Sequence, residues 1–246
     1  MLIWQHDVCD DAQVLLFGAR PPESPRNAIL ATTASVEGLA AQSVCWVKAA
    51  RDQNGCGFQE IVEPRFSAFI QNEPDVLADG VILHTPRTAV GMRTGDCPAI
   101  VLFERNSGRL LITHAGRAAM KPTCGRWGQI ENIVTIAYRK ITRGCLQPDV
   151  TAVITGAICA SCFPHNQTAA DQALVEEFAA FGPHAVPDRA RGTIDLVAII
   201  TAQLVDFGIS ADRITHDGLC THEDVRLASY RRDRSEERNM VVGVLG

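Results

Sequence analysis

Two apolar runs hinged on one short turn constrain this chain more than any other feature. T-G-D-C-P at 94–98 runs into A-I-V-L-F. After the turn Asn106-Ser107-Gly108 comes R-L-L-I-T, which ends at H-A-G from His114. Apolar runs of this length around a Gly-containing turn predict an antiparallel hairpin. On this reading 90–97 is a strand ending in a thiol, and a second strand, 110–113, delivers His114 to the same edge. A sulfur and an imidazole that arrive together suit a transition-metal site, or a thiol nucleophile with its base. Two ordinary core residues are the plain alternative, because Cys is among the most buried residue types.

Strand-like runs occur at 13–17, 43–48, 80–84, 88–94, 99–103, 109–113, 150–155 and 240–245. Helix-like segments occur at 26–36, 126–142, 168–181 and 193–207. In the 126–142 segment Ile130, Ile133, Val134, Ile136, Ala137 and Ile141 form a near-helical stripe closed by Gly144. Strands come early, helices late, and hairpins are present. The expected fold is α+β, layered in an α/β/α manner, with helices packed on a mixed, largely antiparallel sheet. No repeat or linker interrupts residues 1–246, so one domain is expected. Asp195 suits the first turn of the last long helix, as a cap.

The residues around the Cys–His pair resemble the YfiH-type laccase-domain family, also called the polyphenol oxidase family. L-A-D-G-V-I-L, T-G-D-C-P and H-A-G are similar to its central segments. Gly156-Ala157-Ile158 with Cys162-Phe163, Ile194-Asp195-Leu196, Cys220-Thr221 and Ser229-Tyr230-Arg231-Arg232-Asp233 follow in the family's order. The resemblance implies an α/β fold that binds zinc, called copper in older descriptions, through an early His, the Cys of A-D-C and the His of H-A-G. It implies phosphorolysis of purine nucleosides or deamination of adenosine, with phosphate or water as co-substrate. Phenol oxidation and peptidoglycan editing are further attributions within the family. Carried over, the metal ligands are Cys97 and His114, and Asp96 is a candidate acid or base. Arg231 or Arg232 is a candidate anion fork, and Cys162 lies beside the site.

Two departures bear on activity. No histidine occurs between His6 and His84, so the early ligand has no direct counterpart. Depending on alignment, Arg51 or Asn54 stands there. Arginine stays protonated and an amide oxygen is a weak zinc ligand. Asn54, Cys56 and His84 are the candidates for the third position, and a weakened or metal-poor site is expected. After His114, Arg117-Ala118-Ala119 replaces the family's W-R-G. A metal-independent Cys97–His114 hydrolase and a catalytically degenerate binding protein stay open as alternatives.

A net charge of −5 gives no basic footprint for nucleic acid. No apolar stretch reaches the length of a membrane span, and nothing indicates an obligate protein partner. The amino terminus lacks a signal-peptide pattern, and nine cysteines in no framework point to a reducing cytoplasm. Cys159-Ala-Ser-Cys162 has zinc-ribbon spacing, but no second C-x-x-C completes a four-thiolate site. Seven scattered histidines, none at H-x-H spacing, argue against a multicopper cluster.

Overall fold

In the computed structural model, residues 1–19, 41–48, 61–63, 76–124 and 130–246 are described. They form two six-stranded mixed sheets. Across the first run β1 (Leu2–Cys9), β2 (Ala12–Phe17), β14 (Asn239–Leu245), β7 (Thr88–Thr94), β3 (Ser43–Lys48) and β5 (Val76–Leu77). The pairs from β1 through to β7 are antiparallel, and β3 lies parallel to both β7 and β5. Across the second run β13 (Ile214–His216), β12 (Val150–Thr155), β8 (Ala99–Glu104), β9 (Arg109–His114), β6 (Gly80–Leu83) and β4 (Ile61–Val62). Its middle pairs are antiparallel, and its two edge pairs, β12–β13 and β6–β4, are parallel. A small ribbon joins β10 (Thr123–Cys124) to β11 (Ile130–Glu131).

The period-two rule explains why so many strands read as continuous apolar runs. In β8, Val101 and Phe103 point to a core shared with the first sheet, while Ile100 and Leu102 point to the helices. In β14, Val241 and Leu245 enter the inter-sheet core, and Met240, Val242 and Val244 line the opposite face. Both faces of these strands are covered, so no polar alternation survives. Helices α1 (Ile133–Ile141), α2 (Ala169–Ala179) and α3 (Leu196–Asp206) lay their apolar sides on the second sheet. Each begins at a side-chain cap: Asn132, Thr168 with Asp171, and Asp195, whose carboxylate accepts from Ala198 N at 2.8 Å. The one-turn helix α4 (Tyr230–Asp233) follows later.

The mixed α+β class and the expected strands from 80 onward are present. The helix expected over 126–142 is confined to Ile133–Ile141, because Ile130 and Glu131 pair as a strand first. The helix at 26–36 falls outside the described residues. The run 90–97 is not one strand. Its pairing ends at Thr94, because the chain must leave the first sheet there and enter the second at Ala99. Asp96 and Cys97 therefore lie in a crossing turn, where strand alternation does not fix their directions.

At the far end of the β8–β9 hairpin, Glu104 is fully buried. Its carboxylate accepts from Ser107 N at 2.8 Å, Asp149 N at 3.0 Å and the Cys145 thiol at 3.3 Å. Burial alone would raise its pKa, but hydrogen bonds from Ser107, Cys145 and Asn106 outweigh it and hold the pKa below the usual value. A depressed folded pKa means the stabilisation is complete above the unfolded value and is lost as pH falls through the folded one. Glu104→Gln should therefore cost about 1–3 kcal/mol at neutral pH. In denaturant titrations that deficit should shrink on acidification; a constant deficit would contradict the assignment.

Candidate metal and anion site

One end of the two-sheet stack gathers the strand termini that carry chemistry. Ala99 at the start of β8 pairs with His114 at the end of β9. Ala115 N donates to Pro98 O at 2.8 Å, so the residues flanking Cys97 and His114 are tied together. His114 is held further by its N–H on Asp79 O at 2.7 Å, an oxygen that also accepts from the Thr113 hydroxyl. Gly116 makes room for the imidazole. A Cβ there would stand 2.4 Å from His114 Cε1, which accounts for the glycine of H-A-G. His114 is buried and Cys97 half-buried.

Asp96 is a junction. Its backbone O accepts from Ile158 N at 2.9 Å. One carboxylate oxygen accepts from the Thr221 hydroxyl at 2.8 Å, the other from Arg231 N at 2.7 Å. Asp96 thus clamps the crossing turn to the segment after β12, the segment after β13 and the start of α4. Asp96 is the expected acid or base, and both of its carboxylate oxygens are engaged in holding later segments.

Beside this junction two guanidinium groups converge on one imidazole. Arg117 Nη1 lies 3.2 Å and Arg231 Nη2 3.1 Å from His165 Nε2. Guanidinium can only donate, so Nε2 accepts, and Nδ1–H donates to Phe163 O at 3.0 Å. Burial, followed by the charges of Arg231 and Arg117, pushes the His165 pKa down to about 4, leaving the ring neutral near pH 7. Arg231 also donates to Pro164 O at 3.1 Å and stacks over the Phe163 ring at 4.8 Å. Burial and then the neighbouring charges of Arg117 and Arg234 lower its pKa. Among the described residues neither Arg117 nor Arg231 forms a salt bridge, and the carboxylates of Asp96 and Asp171 offset the charge on Arg231 in part. Gly192, at φ +60°, permits the packing behind the ring, since a Cβ there would sit 2.2 Å from His165 O.

Arg232, the other candidate anion fork, is placed differently from Arg231. Its guanidinium donates to Thr221 O, His222 O, Asp224 O and Leu227 O at 2.7–3.2 Å and to Asp233. With its donors spent on carbonyls and its neighbour, it braces the 221–227 loop. His84 is not brought to His114. Leu83 pairs with Leu110 and Gly80 with Thr113, so His84 lies past the opposite end of β6, its Nε2 3.0 Å from Glu63 Oε2. It lines an open depression of about 730 Å³ with Arg109, Arg143 and Cys145, remote from the pair. Asn54 and Cys56 lie outside the described residues.

Cys162 belongs to a separate group. The ligand atoms of Cys159, Cys162, Cys220 and Glu223 all lie within 4.8 Å of one another. The turn Ala160–Cys162 is 3₁₀, not the α-helix that a thioredoxin-like motif would open. Burial, then contact with Cys159 and the charges of Cys220 and Cys159, pushes the Cys162 thiol up to about 12. Such a group could bind a metal ion. Sequence reasoning missed His165, which no spacing marked, and Arg117, which was noted only as a displaced family residue.

The comparisons with known proteins agree with the motifs. The chain is 28% identical over 206 residues to a purine nucleoside phosphorylase of Mycobacterium tuberculosis, covering 82% of this chain and 72% of that protein. It is 26% identical over 182 residues to the adenosine deaminase RL5 of an unknown prokaryotic organism, covering 70% and 64%. The structure of YlmD from Geobacillus stearothermophilus superposes with a TM-score of 0.69 at 15% identity, covering 96% and 92% of the two chains, a likeness of fold alone. The family model for the multi-copper polyphenol oxidoreductase laccase matches residues 30–245, and the chain belongs to that family.

Proposed function

We propose that this chain is a purine nucleoside phosphorylase, with zinc held at Cys97 and His114 and phosphate held at Arg117 and Arg231. The observation that carries the reading is the convergence of two guanidinium groups on the neutral His165 nitrogen. Two like charges aimed at one neutral acceptor repel each other, and an anion between them would offset that repulsion. A phosphate between them would take paired, charge-assisted hydrogen bonds from both forks. Deamination, the activity named for one relative, needs water and would leave this cationic pair unused.

The donor set fits the metal. A thiol and an imidazole from neighbouring strand ends are ordinary zinc ligands, with Asn54 or Cys56 as candidates for a third. Zinc bound there would supply Lewis acidity toward an oxygen of substrate or phosphate. In phosphorolysis a phosphate oxygen forms a bond to the ribose C1′ as the bond from C1′ to the purine nitrogen breaks. The departing nitrogen takes a proton. Arg117 and Arg231 orient the nucleophile, and Asp96 holds Arg231 in line through its backbone N–H. All seven histidines are described, and no three are brought within reach of one ion, which supports nucleoside chemistry over multicopper oxidation. Cys9, Cys45, Cys97, Cys145, Cys159, Cys162 and Cys220 form no disulfide, which supports a reducing compartment. Among the described residues no helix is long and apolar enough to cross a membrane.

Zinc-loaded protein given inosine, adenosine or guanosine should release free base and ribose 1-phosphate only when phosphate is present. Phosphate-independent ammonia release would favour deamination; no turnover of any nucleoside would end the reading. Arg117→Ala should raise the phosphate KM about tenfold or more, as loss of a charge-assisted hydrogen bond implies, with the nucleoside KM little changed.

Gly116→Ala should turn the His114 ring away. Zinc retention in the Cys97–His114 site and turnover should fall together while the thermal midpoint stays close to the parent's. A variant with full metal content and turnover would show that the close approach is not needed.

A further inference from the structure

The C-x-x-C at Cys159–Cys162 does have a second half, and it is not another C-x-x-C. Cys220-Thr-His-Glu223 has the same spacing with a carboxylate in the last place. The topology makes the two halves meet. β12 and β13 are parallel neighbours, so the segments that follow them leave the sheet side by side. Thr221 N donates to Ala157 O at 3.0 Å, fastening one segment to the other.

From this meeting we infer a second metal centre, a tetrahedral zinc site made by Cys159, Cys162, Cys220 and Glu223. Zinc bonds of about 2.3 Å to sulfur and about 2.0 Å to oxygen at tetrahedral angles require sulfur and oxygen roughly 3.5 Å apart. Cys162 Sγ lies 3.5 Å and Cys159 Sγ 3.9 Å from Glu223 Oε1. The backbone is arranged around sulfur as well. Cys159 N donates to Cys220 Sγ at 3.3 Å, while Cys162 N and Glu223 N close the two turns on the Cys159 and Cys220 carbonyls at 3.1 and 3.2 Å.

The ion and the nearby guanidinium groups offset part of the charge. Three thiolates and a carboxylate carry four negative charges, of which a divalent ion cancels two. The Arg232 guanidinium sits on Thr221 O and His222 O, and Arg191 sits on Ser161 O at 3.1 Å. The thiol protons leave to solvent as the ion enters, with no change of oxidation state. Zinc here is structural. It fastens the Phe163–His165 loop to the 220–224 loop, and so sets the floor of the arginine pocket.

The centre is independent of the Cys97–His114 reading, and the test separates them. Cys97→Ala protein, purified anaerobically and loaded with zinc or cobalt(II), should retain one equivalent of tightly held ion. With cobalt it should show strong thiolate-to-metal absorption and intense tetrahedral ligand-field bands. Cys159→Ser/Cys162→Ser should lose that equivalent and those bands. If that double variant does not fold, alkylation of the unmodified chain decides. Zinc should protect Cys159, Cys162 and Cys220, and a chelator should expose them. No retained ion in Cys97→Ala, unchanged cobalt bands in the double variant, or equal alkylation with and without zinc would overturn the site. Absence of nucleoside turnover alone would not, since it reports on the other centre.

Discussion

The hydrogen bonds made by Asp96 are the contacts on which the rest of the site depends. Asp96 sits where the chain crosses from one sheet to the other. Its backbone oxygen holds Ile158, and its carboxylate holds Thr221 and Arg231. The two partners of the carboxylate lie 125 and 135 residues away along the chain. No local preference could bring them together. A buried carboxylate with both oxygens satisfied costs little to keep, whereas a partner left without its acceptor would cost about 1–3 kcal/mol. The junction is therefore a strong specifier of where the loops lie.

From that junction the chemistry spreads to both sides. Toward β9 lie Cys97 and His114, positioned by Asp79 O and by the space left at Gly116. Toward α4 lies Arg231, whose fork meets His165 together with Arg117. Beyond them the Cys159 and Cys220 turns close the far wall. Each of these segments lies at or just after a strand end, so rigid sheet geometry aims short loops. This arrangement orients side chains without long, entropically costly excursions.

Much of this was legible in the sequence, and the reasons for the rest are physical. The hairpin around Asn106-Ser107-Gly108 could be read because two apolar runs and a turn are local. The Asp195 cap could be read because capping is local too. The run from 90 to 97 looked like one strand because hydrophobicity does not record which sheet a residue joins. β1 was missed because it is a half-exposed edge whose pattern is mixed. His165 carried no signal, since its role depends on two arginines 48 and 66 residues away. Cys220-x-x-Glu223 was hidden by the expectation of a fourth sulfur, and only the parallel β12–β13 pair shows it facing Cys159-x-x-Cys162.

On the proposed function, Asp96 positions the arginine that would hold phosphate. Calorimetric titration of inorganic phosphate into wild-type and Asp96→Asn protein tests it most directly. In the variant an amide N–H₂ replaces one acceptor oxygen, so the Arg231 N–H or the Thr221 hydroxyl loses its partner and the fork is displaced. The claim predicts phosphate binding weakened about tenfold or more in the variant, a loss of about 1.4 kcal/mol. Wild-type phosphate affinity in a variant with no turnover would contradict it and return Asp96 to the role of acid or base.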